Sequence, residues 1–408
     1  MEHHTLNVAD PDSMDLVKDL IVRYMPFFTS EYFNIGADET FDLGKGKNRS
    51  RAEKEGTRGM YIDFVRELCS FLVGKGKKPM FWGDIIYAFP DAVKELPKET
   101  ICLNWDYEAD VKEERVKTLA DAGAVQYCCP GVSGWNQFVN RLDVAYENIS
   151  RMCTYGVKYG AKGILTTDWG NFGHVNHPDF GIPGMIYGAA FSWNSHILEF
   201  DEINRQISRI EYLDASESLV GILSGFSGCQ VFRWADAVMQ KERGKAETDP
   251  KEMERIPAAL SRLDELKEKL YEVIPYLAPE RRELADAYLM AVHGIELFQK
   301  TGMLFVKETP PEKPAPSEDG RLSPAEENRR KLAEDGRLTP AEENRVRLAE
   351  DGRLSPAEEN RWRLAEELEE WLYQYKRIWR TVSRESELCR IEEVVFWYAD
   401  RLREGDNK

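Results

Sequence analysis

FNIGADET, residues 33–40, is the stretch from which the fold is read. It opens as a β-rich run, Phe33–Asp38, and breaks off in two adjacent acids, Asp38 and Glu39. Four runs of the same kind follow: PMFWGD (79–84), TICLNW (100–105), AVQYCC (124–129) and KGILTTD (162–168). Stretches with helical spacing of apolar residues lie between them, at 13–26, 57–73, 111–121 and 140–158, and another at 183–193 follows the last run. Strand-then-helix repetition predicts parallel strands joined by crossover helices. The predicted class is α/β, of the (β/α)8 TIM-barrel type. In such a barrel the chemistry gathers where the strands end. The ends carry Asp38 and Glu39, Trp82 and Asp84, Trp105 and Asp106, and Asp168 and Trp169.

A closed barrel needs eight strands; five are found, and nothing after residue 200 supplies three more. The expectation is therefore an incomplete barrel over 1–200, followed by an α-helical carboxy-terminal region. Residues 201–308 read as helices, with an apolar stripe at Leu260, Leu263, Leu266 and Leu270. Residues 309–367 open Pro-rich and charged, then repeat a 16-residue unit: LSPAEENRRKLAEDGR (322–337), LTPAEENRVRLAEDGR (338–353) and LSPAEENRWRLAEE (354–367). Each copy has a Ser or Thr N-cap (Ser323, Thr339, Ser355), Pro at the first helical position, and Glu at the third (Glu326, Glu342, Glu358), which makes a capping box. Gly336 and Gly352 end the first two copies. Each copy reads as a short, well-capped, solvated helix without chemistry. Residues 368–408 return to aromatic-rich helix, with Trp371, Tyr375, Trp379, Phe396, Trp397 and Tyr398 read as packing.

The formal net charge is −17, from 72 acidic and 55 basic residues, which argues against nucleic acid and against anionic membrane surfaces as partners. No run of 18 apolar residues occurs, so no membrane span is expected. Seven cysteines in irregular spacing, two of them adjacent (Cys128, Cys129), read as free thiols in a reducing compartment. The polar start Met1-Glu2-His3-His4 lacks the form of an export signal. The expected location is cytoplasmic, unless a segment upstream of Met1 carries such a signal. No CxxC pair and no HExxH occurs, and no metal or cofactor is expected.

Side chains alternate along a strand, which puts Asn34, Gly36 and Asp38 on one face and Phe33, Ile35 and Ala37 on the other. Two neighbouring acids reach one site only if the strand ends there and the backbone turns. Small Gly36 and Ala37 leave room for a ligand at that turn. The segment HTLNVADPDSMDLVKDLIVRYMPFFTSEYFNIGADET (4–40) resembles the stretch of family 20 glycoside hydrolases that leads into their catalytic Asp-Glu pair. CCPGVSGWNQF (128–138) and TTDWGNFGHVN (166–176) resemble the loops after strands seven and eight in one branch of that family. The resemblance covers roughly residues 3–195, and it numbers the five strands four to eight.

That resemblance implies a retaining exo-β-N-acetylhexosaminidase, in which the 2-acetamido oxygen of the sugar attacks its own anomeric carbon, an exception to the two-carboxylate scheme. Glu39 is then the general acid and base, and Asp38 orients the acetamido N–H. A raised pKa at the acid is expected from its carboxylate neighbour and apolar walls. Trp82, Trp105 and Trp169 are candidates for an aromatic box, against the plainer reading that they are core. Trp135 and Asn136 are candidates for sugar hydroxyls. Asn171 stands where the related branch usually has Asp. His174 reads as solvated or supporting, and Asp84 and Asp106 either orient Glu39, hold hydroxyls or cap loops. The implied partners are N-acetylglucosamine- or N-acetylgalactosamine-terminated glycans. The family's Arg from strand one and its His-bearing loop find no match here. Self-association that completes the barrel is one way to supply them. Three rivals remain open: a non-catalytic sugar-binding or interaction fragment, a hydrolase with two separated carboxylates, and a function carried by the helical repeats.

Overall fold

The computed structural model of the chain describes residues 5–194, 196–305 and 355–404. Five strands form one parallel sheet in sequential order: β1 (Tyr32–Asn34), β2 (Lys78–Trp82), β3 (Ile101–Trp105), β4 (Val125–Cys129) and β5 (Gly163–Ile164). Helices α1 (Pro11–Tyr24), α2 (Arg49–Gly74), α3 (Glu114–Asp121) and α4 (Leu142–Lys158) precede or connect them. Each predicted run overlaps its strand; β1 and β2 each begin one residue before the run, and the strands of the first and last runs are much shorter than read. Phe33–Asp38 keeps regular strand geometry only to Asn34, and Lys162–Asp168 only over Gly163–Ile164. The last strand is continued by a lone parallel bridge between Gly131 and Thr167.

Alternation along the strands sorts two faces. Phe81 and Cys102 point into one apolar cluster with Tyr61, Val65 and Leu119, from α2 and α3. Met80, Trp82, Ile101, Leu103, Trp105, Tyr127 and Cys129 form a second cluster with Tyr32, on the opposite face. There the Lys162 ammonium, just before β5, lies 5.7 Å from the centre of the Tyr32 ring on β1. The two edge strands are thus curled toward each other, as strand twist requires of a closing sheet. The free edge of β1 is blunted: the Tyr32 N–H donates to Ser30 Oγ (3.1 Å) and the Gly36 N–H to Asn34 Oδ1 (2.9 Å). Side-chain acceptors on an edge leave fewer groups for another strand to pair with.

Helix α2 starts earlier than the predicted 57–73, but a kink at Gly56 (φ 76°, ψ 158°) separates its first turns, and the apolar periodicity begins only after that break. Buried amides lock the loops. Asn104 Nδ2 donates to the Arg115 carbonyl and to Gln126 Oε1 (both 2.9 Å), and Gln126 Nε2 donates to the Val116 carbonyl (3.0 Å). Asn148 Nδ2 donates to the carbonyls of Asp106 (2.9 Å) and Glu108 (3.0 Å), while its Oδ1 accepts from the Gly131 N–H (3.1 Å). One side chain therefore holds the segments after β3 and β4, at the end where the candidate site lies.

After α5 (Ile182–Trp193) the described residues are helical: α6 (Phe200–Ile210), α7 (Leu219–Gly225), α8 (Trp234–Arg243), α9 (Pro250–Met253), α10 (Ile256–Val273), α11 (Arg282–Phe305), α12 (Pro356–Val382) and α13 (Leu388–Glu404). Leu263, Leu266 and Leu270 of the predicted stripe are buried. The first two repeat copies lie outside the described residues. In the third, Ser355 Oγ accepts from the Glu358 N–H (3.3 Å) and the Glu358 carboxylate accepts from the Ser355 N–H (2.8 Å), the expected capping box. That copy is not a separate short helix. Where its predecessors have Gly336 and Gly352 it has Leu368, and α12 runs on to Val382. Trp362, Leu364, Ala365 and Leu368 are buried along it.

Contacts divide the chain into two compact units. One takes Met1–Val132, Val144–Thr167 and Gly184–Leu198; the other takes Ser133–Asp143, Asp168–Pro183 and Glu199–Lys408. The loops after β4 and β5 thus group with the helices. Gln230 Oε1 accepts from the N–H groups of Phe138 (2.8 Å) and Val139 (3.3 Å), Trp234 Nε1 donates to the Phe172 carbonyl (2.7 Å), and the Tyr375 hydroxyl donates to the Val175 carbonyl (3.1 Å). Among the described residues no helix is long and apolar enough to cross a membrane.

All seven cysteines are free, and all but Cys389 are buried. Burial pushes the thiols of Cys69, Cys102, Cys128 and Cys153 up to about 12. The thiolate is the reactive form. Treatment of the native chain with dithiobis-nitrobenzoate at pH 8 is expected to titrate at most Cys389 quickly, and the rest only after denaturation. Rapid release of three or more equivalents would contradict this packing.

Candidate functional site

The acids stand on a turn rather than on a strand. The Ile35 N–H still donates to the Met80 carbonyl and the Trp82 N–H to the Gly36 carbonyl (both 2.9 Å). Past that point Gly36 (φ 73°), Ala37 (φ 73°) and Glu39 (φ 48°) adopt left-handed backbone. Glycine does so freely; the other two carry roughly 1–3 kcal/mol of strain each. This turn breaks the alternation expected from FNIGAD. Asp38 shares with Ile35 and Ala37 a cavity of about 250 Å³, walled by Val17 of α1 and by Tyr61, Phe64, Val65 and Leu68 of α2. Asp38 is half-buried and Glu39 is exposed.

Two side chains grip the turn. The Tyr61 hydroxyl donates to the Ala37 carbonyl (2.9 Å), and Asp84 Oδ2 accepts from the Glu39 N–H (2.9 Å). Burial, then the charges of Asp84, Cys102 and Asp38, hold the Tyr61 phenol far above its usual range, so it stays a donor. Burial also raises the Asp84 carboxyl. The Glu39 N–H opposes that rise and the charge of Asp38 adds to it. Asp84 Oδ1 is buried without a hydrogen-bond partner among the described residues.

Trp82 and Trp105 belong to the apolar cluster on the face of the sheet away from α2. Trp105 stacks on Tyr107 (5.1 Å, 20°). The Arg115 guanidinium lies 4.5 Å from the Tyr87 ring and 5.9 Å from that of Trp105, donates to the Trp105 carbonyl (2.7 Å), and is 4.0 Å from Asp106. Asp106 is thereby committed to Arg115 and, through Oδ1, to the Glu108 N–H (3.0 Å). The sequence reading missed Tyr61 and Arg115 as parts of the site. Both lie on helices, where their spacing matches ordinary packing residues.

The remaining candidates belong to the second unit. Trp135 and Asn136 lie on the loop after β4; Asn136 is left-handed (φ 66°) and its Oδ1 is buried without a hydrogen-bond partner among the described residues. Trp169 is 37% exposed and lines a recess of about 430 Å³ with Asp168, Gly170, Phe172, His174, Trp379 and Arg390. Asn171 is exposed beside it in sequence. Burial lowers the His174 imidazole, and its Nδ1 has no hydrogen-bond partner among the described residues. That fits a supporting role better than a proton carrier. Burial raises the Asp168 carboxyl to about 6, opposed by the Trp169 N–H. By surface area Asp168 is exposed, so solvent screening limits the size of the effect.

A carboxyl raised on folding stabilises the native chain at low pH, and that contribution fades as the pH climbs through the native value. Asp168→Asn removes the titration. Its melting temperature relative to wild type is therefore expected to rise between about pH 4 and 6 and then level off. A difference that stays constant across that range would remove the assignment.

A larger recess, of about 690 Å³, lies among Lys267, His293, Glu296 and Arg377. Its lysine is already neutralised by Glu296 (3.1 Å) and it contains none of the strand-end acids, so size alone does not make it the site. Among the described residues, no group of three His, Cys, Asp or Glu side chains is placed to hold a metal ion.

The model of the glycosyl hydrolase family 20 catalytic domain matches residues 1–140 of the chain. The matched segment holds the Asp38–Glu39 turn, Asp84 and the first four strands. Two solved structures are similar to the chain. One is the β-N-acetylhexosaminidase from Bacteroides fragilis NCTC 9343: 19% identity, TM-score 0.38, covering 50% of this chain and 45% of that one. The other is a family 20 exo-β-N-acetylglucosaminidase from Vibrio harveyi, in complex with N-acetylglucosamine: 18% identity, TM-score 0.37, covering 54% of this chain and 36% of that one. The chain spans less than half the length of either structure. Nothing among curated proteins matches it.

Proposed function

We propose that the chain carries the acid half of a retaining exo-β-N-acetylhexosaminidase site, with β1 to β5 as strands four to eight of the family 20 barrel. The reading rests on one observation: the family match includes an Asp-Glu pair at the carboxy-terminal end of a parallel strand, on a strained turn. Glu39, open to solvent, is the proposed acid that protonates a leaving glycosidic oxygen and then takes a proton from water. Asp38 supports the acetamido group whose oxygen attacks the anomeric carbon. That attack makes an oxazolinium, so no enzyme nucleophile, metal or cofactor takes part in the bond change. Trp82 and Trp105 are the proposed apolar wall for the acetamido methyl; Trp169, Trp135, Asn136 and Asn171, in the second unit, are proposed separately as sugar-binding residues. The proposed substrates end in N-acetylglucosamine or N-acetylgalactosamine, which differ only at the 4-hydroxyl. A second copy that closes the curled sheet is the proposed source of the remaining barrel wall.

Hydrolysis of a chromogenic N-acetyl-β-glucosaminide, with no hydrolysis of the matching plain glucoside, tests the reading. Equal rates on both would favour two separated carboxylates. One observation favours a binding-only alternative: Asp38 lines the cavity on the α2 side, whereas Trp82 and Trp105 lie on the other face. Binding of a thiazoline analogue of the oxazolinium without turnover would decide for that alternative.

A further inference from the structure

Three of the four residues from Gly36 to Glu39 are left-handed, and two of those three, Ala37 and Glu39, bear a Cβ. Two side chains from outside the turn hold it. Tyr61 on α2 grips the carbonyl of Ala37, and Asp84 beyond β2 grips the N–H of Glu39. The two grips flank Asp38 in sequence. Both also have the electrostatic form of fixed partners. Tyr61 is 3% exposed and remains a phenol, and Asp84 keeps one oxygen on the amide while the other is buried without a hydrogen-bond partner among the described residues.

We infer that Tyr61 and Asp84 form a two-point clamp that fixes the direction of Asp38 and Glu39 by holding the backbone between them in its left-handed form. They are positioning residues. Neither needs to touch substrate, and each acts through the turn. The inference rests on the reading of Asp38 and Glu39 as the reacting pair, but the clamp itself is a property of the backbone and can be tested without activity. A single carboxylate displaced by about 1 Å costs on the order of a hundredfold in rate, so the clamp has a large lever.

The test uses the full chain and four variants: Tyr61→Phe, Tyr61→Phe with Ala37→Gly, Asp84→Ala and Asp84→Asn. Tyr61→Phe deletes one hydroxyl from a buried ring and keeps its volume. Crystal structures are expected to show Ala37 relaxed to negative φ in Tyr61→Phe, and to show the original turn in the double variant, because glycine adopts that conformation without help. Asp84→Ala is expected to release Glu39, whereas Asp84→Asn keeps an acceptor and keeps the turn. On a chromogenic N-acetyl-β-glucosaminide, kcat is expected to fall about 10- to 100-fold in Tyr61→Phe and Asp84→Ala, with KM changed less than about threefold. Ala37→Gly and Asp84→Asn are expected to return most of it. An unchanged turn in both Tyr61→Phe and Asp84→Ala overturns the clamp. So does a moved turn with unchanged kcat in an active wild type, or no recovery with Ala37→Gly. If the wild-type chain turns nothing over while the turn moves as expected, the functional reading fails and the clamp stands.

Discussion

Glu39→Gln is expected to lower kcat/KM for N-acetyl-β-glucosaminide hydrolysis by about 100- to 10,000-fold, the usual worth of a positioned general acid and base. The amide keeps the shape of the side chain and removes its proton. In substrate-assisted cleavage the enzyme contributes no nucleophile, so proton transfer is a large share of what it supplies. The loss should depend on the leaving group. A nitrophenolate departs with little help, and the deficit then falls on the second step, where Glu39 activates water. An alkyl glycoside needs protonation to leave and should suffer in the first step as well. Parallel measurement on an aryl and an alkyl N-acetylglucosaminide separates the two roles. Wild-type rates in Glu39→Gln on both substrates would end the assignment of Asp38 and Glu39.

Phe298→Ala is expected to be the most damaging single truncation in the helical unit. Phe298 on α11 is fully buried, with its ring centre 5.2 Å from that of Phe138, 5.5 Å from Trp234, 6.1 Å from Trp371 and 5.9 Å from Tyr398. Those partners come from the loop after β4 and from α8, α12 and α13. Removing the hub leaves a cavity that rigid neighbouring rings cannot fill. Phenylalanine-to-alanine changes of this kind cost about 3–5 kcal/mol. At roughly 2–4 °C per kcal/mol for a domain of this size, the transition should fall by about 6–20 °C. Tyr373→Ala provides the control, because Tyr373 on α12 is 69% exposed and should move the transition little. A small shift for Phe298→Ala in calorimetry would mean that the rings do not form one cooperative core.

Much of the fold was legible in the chain. Five β-rich runs became five parallel strands in the same order, because alternating apolar residues and crossover helices leave few other arrangements. Ser355 and Glu358 formed the expected capping box, since that motif acts over three residues and needs no distant partner. The aromatics of 368–408 were read as packing, and Trp371, Tyr375, Trp379 and Tyr398 are buried. Local rules failed where a distant group intervenes. The third repeat copy looked like its predecessors, yet Trp362 and Leu368 give it buried contacts, and its helix runs on where they have glycine.

The candidate site divides along the same line. Asp38 and Glu39 were picked out from sequence as two acids at a strand tip, as was the need for a turn between strand and acids. Alternation, however, assigned Asp38 to the face opposite Ile35 and Ala37, and the left-handed turn puts all three at one cavity. That conformation is unfavourable for Ala37 and Glu39 on their own. It is held by Tyr61 and Asp84, which lie 24 and 45 residues downstream of the backbone groups they hold. Sequence alone determined the β-rich runs and the Ser355–Glu358 capping box, because each depends on neighbours within a few residues. Where those acids point was decided only by tertiary structure, because hydrogen bonds from remote elements outweigh the local preference of the chain.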